Sequence, residues 1–396
     1  MSKSSPDDSP LLLRLTTVPI SLDLLLTGQP AYMREHGFRV VLGSADGPER
    51  EKVMRREQCP HVIIPFTRAI TPLQDLRCLR QLVGMMRRLR PAIVHTHTPK
   101  AGLLGMLAAR LAGVPVRIHT IAGLPYMTAS GRRRRLLIQI ERITARAAQH
   151  IWPNSQSILA EVRRRRLCSP EKLGIVGQGS TNGIDIEEFS PDRVSDDRSE
   201  HAREQVGYRN DRRYLVAIGR LVRDKGILEL LEAFEAIHRD RPEVHLVLAG
   251  PLEQQRSEET LPEETVSLIG RHPAIIHIPW TDDVPAFLGL ADILVHASHR
   301  EGFPNVLLQA GAMHCPVVCS AIPGNTDLVE DGHTGLTFPV GQAGKLEKKL
   351  RFALDTPDAL REYADKLQEK VVTDFRREAV HRAMLDRYRA LLGHSP

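Results

Sequence analysis

Residues 293–313 read ILVHASHREGFPNVLLQAGAM, and this one stretch decides the fold. Ile293 to Ala297 is an apolar run of strand length, Gly302 to Pro304 forms a turn, and a helix opens behind it. Strand, loop and helix in that order are half of a parallel βαβ unit. The pattern repeats outward in both directions. Toward the N-terminus of this half lie Tyr214 to Ile218, His245 to Ala249 and Ile275 to Ile278; beyond it lies Val317 to Cys319. In the first half, Leu11 to Thr17, Arg39 to Ser44, Val62 to Pro65, Ala92 to His95, Val116 to Thr120 and Gln149 to Trp152 read as strands. Helix-like segments such as Leu73 to Leu89 and Gly102 to Ala112 separate them, the latter stopped by Gly113 before Pro115. The polar stretch Ile186 to Arg212 breaks the alternation and reads as a junction between two α/β domains. Asp358 to Leu392 has helical periodicity without a strand and is expected to pack as a terminal helix pair.

A chain of 396 residues is too long for one hydrophobic core, which agrees with two domains. The composition, 42% hydrophobic and 26% charged, is that of a folded globular protein. Cys59, Cys78, Cys168, Cys315 and Cys319 are scattered and form no C-x-x-C pair, so neither a disulfide framework nor a zinc site is expected, and a reducing cytoplasm is. The polar start MSKSSPDDSP and the lack of a long apolar run predict neither a signal peptide nor a transmembrane helix. Charge is uneven: residues 1–185 hold 28 Lys and Arg against 13 Asp and Glu, a net of +15, leaving 26 against 35, a net of −9. The runs Arg132 to Arg135 and Arg163 to Arg166 suit an anionic membrane surface, a diphosphate-bearing substrate or a nucleic acid, or are solvated helix faces.

In open parallel sheets ligands bind beyond the carboxyl ends of the strands, so the residues after each strand carry the chemistry. After Tyr214 to Ile218 come Gly219, Arg220 and Lys225, a close backbone turn with two cations that could clamp a diphosphate or merely sit on a surface loop. After Ile293 to Ala297 comes Glu301, whose carboxylate can accept sugar hydroxyls. The turn Gly302-Phe303-Pro304 then opens a helix at Asn305 whose first amides favour an anion. Gln309 follows about two turns on, within reach of a ribose hydroxyl.

The pairing of G-R-L-x-x-D-K-G with E-G-F-P-N-V-L-L-Q, followed by Pro323-Gly324 and Asp331-Gly332-His333-Thr334-Gly335-Leu336, resembles retaining glycosyltransferase family 4 of GT-B fold. Thr16 to Ser21, His95-Thr96-His97 and Gly179 to Asp185 extend the resemblance over nearly the whole chain, which looks most like the branch that builds bacterial capsule, exopolysaccharide or O-antigen units. The resemblance implies an α/β fold of two facing Rossmann-like doubly wound domains with a cleft between them. Residues 1–187 would bind the acceptor, 188–372 the nucleotide-sugar, and 373–396 would form a C-terminal helical segment. Arg220 and Lys225 would neutralise the donor's diphosphate, Glu301 would hold donor-sugar hydroxyls, Gly219, Gly302, Phe303, Pro304 and Asn305 would shape the donor site, and Gln309 would bind ribose.

By the same resemblance the reaction is front-face displacement from a UDP-sugar, in which the departing phosphate helps deprotonate the acceptor. The acceptor is a polyprenyl-diphosphate-linked sugar or another glycan. No D-x-D motif occurs, and no metal cofactor is expected; positive side chains would take the metal's place. The enzyme would work on the inner face of the cytoplasmic membrane, with no nucleic-acid partner. Two positions depart from the family: Gln309 stands where a glutamate is usual, and Ala122 where many members carry histidine before a glycine. His119 lies three residues earlier in a strand and could point elsewhere. His95 and His97 alternate and share one face, with structural or acceptor-side roles and too few companions for a metal. Asn182 and Asp185 line the cleft or form an ordinary turn. Competing readings are a nucleotide-sugar epimerase of the same general fold, and a non-catalytic anion- or nucleic-acid-binding protein. The latter is disfavoured by the 4% aromatic content.

Overall fold

The computed structural model describes residues 9–67, 69, 71–253 and 259–393; the opening stretch 1–8 lies outside them. Six strands form a first sheet: β1 (Leu11–Leu15), β2 (Arg39–Ser44), β3 (His61–Ile63), β4 (Ile93–Thr96), β5 (Val116–Ile121) and β6 (His150–Pro153). Their order is β3-β2-β1-β4-β5-β6, all parallel. A second sheet holds β7 (Arg213–Ile218), β8 (Val244–Ala249), β9 (Ile275–Ile278), β10 (Ile293–His296), β11 (Val317–Ser320) and β12 (Leu336–Phe338). It runs β12-β11-β10-β7-β8-β9, again all parallel.

Each sheet reverses its winding once, between β1 and β4 and between β7 and β10. At such a point the two connections leave in opposite directions and open a crevice beyond the strand ends. Helices on both faces bury β1, β4, β8, β10 and β11 along their full lengths, so these strands read as continuous apolar runs. The eleven expected strands are present, with ends shifted by at most two residues. β12 was not expected, because three residues between Gly335 and Pro339 are too few to show a period. The expected helices begin earlier than read, at Pro72 and Pro99, where proline's missing N–H is no loss in the first turn. Helix Ile227–His238 buries Ile227, Leu230, Leu231, Phe234 and Ile237 on one stripe against Leu215, Leu246 and Leu248. Each such side chain contributes about 1.5–3 kcal/mol by leaving water.

The described chain divides into two compact units. One runs to Asn182 and resumes at Arg377; the other spans Gly183 to Arg376. The boundary therefore lies before residue 187, because Ile184 N–H bonds the Phe375 carbonyl at the far end of the second unit. The expected terminal helix pair is also corrected. Helix Pro357–Asp374 buries Leu367 and Val371 in the second unit, beside the helix Asn305–Ala312. Helix Arg377–Gly393 instead buries Met384, Leu385 and Tyr388 against Leu12, Val40 and Trp152 of the first sheet.

Gly226 ties the two loops of the second crevice together. It sits at φ +67°, and a Cβ there would lie 2.1 Å from the Ala297 carbonyl oxygen at the end of β10. Gly207 has a similar φ of +58° but open space around it. Gly226→Ala is therefore expected to cost at least about 2 kcal/mol and Gly207→Ala only about 1 kcal/mol. Urea denaturation of both variants checks this; equal losses would show that backbone conformation alone, and not the contact with Ala297, requires glycine at 226.

Candidate functional site

The connections after β7 and β10 interlock before either reaches the crevice. His299 N–H bonds the Asp224 carbonyl at 2.8 Å, and Ser298 Oγ lies within donating reach of the Asp224 and Arg300 carbonyls. The Arg300 guanidinium pairs with the Asp224 carboxylate at 3.1 Å. His299 Nε2 meets Glu229 Oε1 at 2.8 Å, and that carboxylate holds the His299 pKa above its usual value. Backbone and side chains thus fix the two loops in one register, and Lys225 and Glu301 meet as a result. The Lys225 ammonium donates to Glu301 Oε1.

Burial alone would raise the Glu301 pKa; the Lys225 charge, with His296, overrides it and holds the carboxyl well below the usual range. His296, the last residue of β10, places Nε2 3.2 Å from the same carboxylate oxygen. That buried nitrogen has no hydrogen-bonding partner among the described residues. Gly324, at φ +89°, lets the turn after β11 lie against this group: a Cβ there would meet the Gly302 carbonyl oxygen at 2.6 Å. Phe303 and Pro304 are buried beneath, and Phe303 stacks obliquely on Phe375. Asn305 opens the helix Asn305–Ala312, and Gln309 follows one turn later on the same side, both half-buried.

Gly219, Arg220, Lys225 and His296 line one small pocket with Ala217 and Ala297. Arg220 does not wait empty-handed: its Nη1 pairs with Glu253 at 2.8 Å and with Glu259 at 3.4 Å. The pair is partly exposed, so it is weak and exchangeable. Among the described residues no group of three or more His, Cys, Asp and Glu is arranged to hold a metal ion. Arg220 and Lys225 are the lysine and arginine side chains that line this pocket.

The candidates of the first unit fall elsewhere. His95 and His97 do share a face, with ring centroids 4.1 Å apart. Both nitrogens of His95 are engaged, by Tyr388 Oη at 2.5 Å and Thr120 Oγ1 at 2.7 Å. His97 Nε2 accepts from Arg14 Nε at 3.0 Å, and Arg14 also donates to Gln29 Oε1 at 2.5 Å. Burial, and then neighbouring positive groups, hold both histidines well below their usual pKa, so they are neutral. Asn182 joins this network through Gln29, the Thr27 carbonyl and His381. His119 turns to the opposite face, where it bonds Thr96 Oγ1 and its ring fills the space over Gly102; it is a packing residue. Ala122 offers no polar group in its place. Asp185 lies in the second unit and caps the amides of Glu187 and Glu188, the turn reading of that residue.

Residues 29–179 match the family described as Glycosyl transferase 4-like domain, and residues 198–371 that described as Glycosyl transferases group 1. The capsular polysaccharide biosynthesis glycosyltransferase CapM of Staphylococcus aureus is 31% identical over 351 residues, 89% of each chain. The chain belongs to glycosyltransferase family 4. Within it the capsule and polysaccharide branch is indicated again by an Escherichia coli UDP-Gal:α-D-GlcNAc-diphosphoundecaprenol α-1,3-galactosyltransferase. That enzyme is 27% identical over 68% of this chain and 67% of its own. The fold is GT-B: the Anabaena HepE protein, solved in complex with UDP-glucose, superposes with a TM-score of 0.78 over 96% of this chain and 99% of its own, at 17% identity. The Thermosynechococcus elongatus sucrose-phosphate synthase gives 0.80, covering 98% and 100%, at 20%.

Sequence reasoning missed His296, Glu253 and Glu259 at this glycosyltransferase's site, and Arg14 in its first unit. His296 sits in an apolar strand where alternate residues read as core. Arg14 interrupts LLLRL, so a signal was present. The Glu301 carboxyl is lowered on folding, so its stabilisation is complete above the unfolded pKa near 4.3 and is lost as pH falls below it. Glu301→Gln is expected to destabilise by about 1–2 kcal/mol at neutral pH, with the deficit shrinking below about pH 4. Urea denaturation of both chains across that window checks it; a deficit independent of pH would show that the carboxylate charge is not what Lys225 stabilises.

Proposed function

We propose that the chain transfers a hexose or N-acetylhexosamine from a UDP-sugar to a polyprenyl-diphosphate-linked or other glycan acceptor, with retention of anomeric configuration and without a metal cofactor. The observation that carries this reading is the Lys225–Glu301 pair at the switch point of the second sheet, beside the N-terminus of helix Asn305–Ala312. In it the diphosphate engages Arg220, Lys225 and the helix amides, while Glu301 Oε2 turns to sugar hydroxyls. As the glycosidic bond lengthens, negative charge grows on the leaving phosphate, and the two cations stabilise it. The same phosphate oxygen accepts the acceptor's proton on the front face, so no protein base is required. Gln309 accepts a ribose hydroxyl through its amide oxygen. The printed activity of the Escherichia coli relative, with its UDP-sugar donor and diphosphoundecaprenol-linked acceptor, supports the substrate classes.

A lipid-linked acceptor requires approach to a bilayer, and we place the chain peripherally on the inner face of the cytoplasmic membrane. No described helix is long and apolar enough to cross one. Helix Gly131–Ala147 has the surface for contact: Leu136 and Ile143 are 50% and 40% exposed, seven residues apart on one side, amid Arg132, Arg135, Arg142 and Arg146. Its one carboxylate, Glu141, is buried, which pushes its pKa up to about 7.

Turnover with a panel of UDP-, GDP- and ADP-sugars and lipid-diphosphate acceptors tests the reading, the product anomer being read by NMR. Expected are a UDP-sugar preference, retention, indifference to EDTA, loss of about 1,000-fold or more for Glu301→Ala, and donor affinity kept or improved in Gln309→Glu. An epimerised donor without acceptor, or an inverted product, would overturn it. For the membrane, changing Arg132, Arg135 and Arg146 together to Gln is expected to weaken binding to anionic vesicles about a hundredfold, at about 1 kcal/mol per charge. Unchanged co-flotation would place the contact on another surface.

A further inference from the structure

His296 has a buried ring nitrogen without a hydrogen-bond partner, as do His61 and His97 of the first unit, but its own stands beside the Glu301 carboxylate. It is 7% exposed, it closes one wall of the pocket formed with Gly219, Arg220 and Lys225, and its Nε2 stands beside the Glu301 carboxylate without a hydrogen bond. The groups that face it are few. Glu301 lies on the loop above it; Lys225 and Arg220 come from the loop after β7. Cys319 is its register partner on β11 and shares its side of the sheet, its thiol kept neutral by burial. The helix over this face, Asn305–Ala312, carries no titratable side chain.

Without ligand, Glu301 is neutralised by Lys225. A nucleoside diphosphate with its terminal phosphate fully ionised brings about three further negative charges to the same site and competes for the Lys225 ammonium. The carboxylate and the phosphates then share one lysine and an arginine already held by Glu253 and Glu259. Among the described residues the ion-pair partners of Glu301 are Lys225 and His296, so a further positive charge beside it can come from the imidazole of His296, whose charged form negative neighbours favour. We propose that His296 takes up a proton from solvent when a nucleoside diphosphate binds, and as imidazolium donates from Nε2 to Glu301 Oε1, holding the carboxylate in place while Lys225 turns to the phosphates. His296 is thus a positioning residue of the donor site. It acts through Glu301 and touches no reacting atom. This rests on the reading of Arg220 and Lys225 as the diphosphate site.

Because this binding takes up a proton, donor affinity is greatest at low pH and falls as pH rises. The test is calorimetric titration of the full chain with UDP at about pH 8, where the nucleotide's own phosphate is fully ionised. Buffers of different ionisation heat are used, so that the dependence of observed heat on buffer gives the protons exchanged. Expected is net uptake approaching one proton, and a UDP Kd that rises up to tenfold per pH unit above neutrality. In His296→Gln, UDP still binds, proton uptake vanishes and the Kd becomes flat over the same range. UDP binding to the unmodified chain without proton uptake overturns the proposal whether or not the variant folds. So does uptake that persists in His296→Gln. No binding of UDP at any pH would remove the diphosphate reading itself, a separate failure visible before any proton is counted.

Discussion

A carboxylate taken out of water needs a counter-charge, and Glu301 obtains one from a residue 76 positions earlier in the chain. Much of the second unit's local structure serves that meeting. β7 and β10 must be neighbours for their connections to converge, which requires the winding to reverse between them. The connections must then be locked, which Ser298, His299 and Arg300 do on Asp224 and Glu229. One backbone must pass close under another, which is why residue 226 has no side chain. The arrangement is charged and polar, and Asp224, Glu229, Ser298, His299 and Arg300 each find a partner across the two connections.

The layered architecture was legible because parallel strands covered on both faces are largely apolar runs, as at Ile293, Val244 and Leu11. The loops that bring Lys225 to Glu301 were legible for a related reason: they follow the carboxyl ends of β7 and β10, and position in the alternation identifies them. What escaped were relations between distant segments. Nothing local to Glu253 or Glu259 says that they hold Arg220. His296 looked like a core residue because it is one, by burial; only its distance from Glu301 distinguishes it. The return of the last helix to the first sheet was hidden similarly, since Arg377–Gly393 has the periodicity of any amphipathic helix and does not name its partner.

The first unit uses its polar residues differently. Arg14, His95, His97, Gln29, Asn182, Tyr388 and His381 form a continuous network inside it, with Arg14 wholly inaccessible. Among the described residues its bonds go to the His97 ring and the Gln29 amide rather than to a carboxylate, and burial lowers its pKa. Such a network is worth little as stabilisation compared with an apolar filling, but it is directional. It accepts the terminal helix only in the register that brings Tyr388 to His95 and His381 to Asn182.

That last contact bears on how the protein is made. The first unit begins with the earliest residues of the chain and is completed by nearly the latest, with all of Gly183 to Arg376 synthesised in between. The second unit is contiguous and can close while translation continues. The first cannot: one face of its sheet, with Leu12, Val40 and Trp152, stays uncovered until Met384, Leu385 and Tyr388 leave the ribosome. While Gly183 to Arg376 are being made, that apolar face lacks its covering helix. A stop codon or frameshift in the seventeen-residue helix Arg377–Gly393 would strand the N-terminal unit unfinished while leaving the Lys225 and Glu301 loops intact.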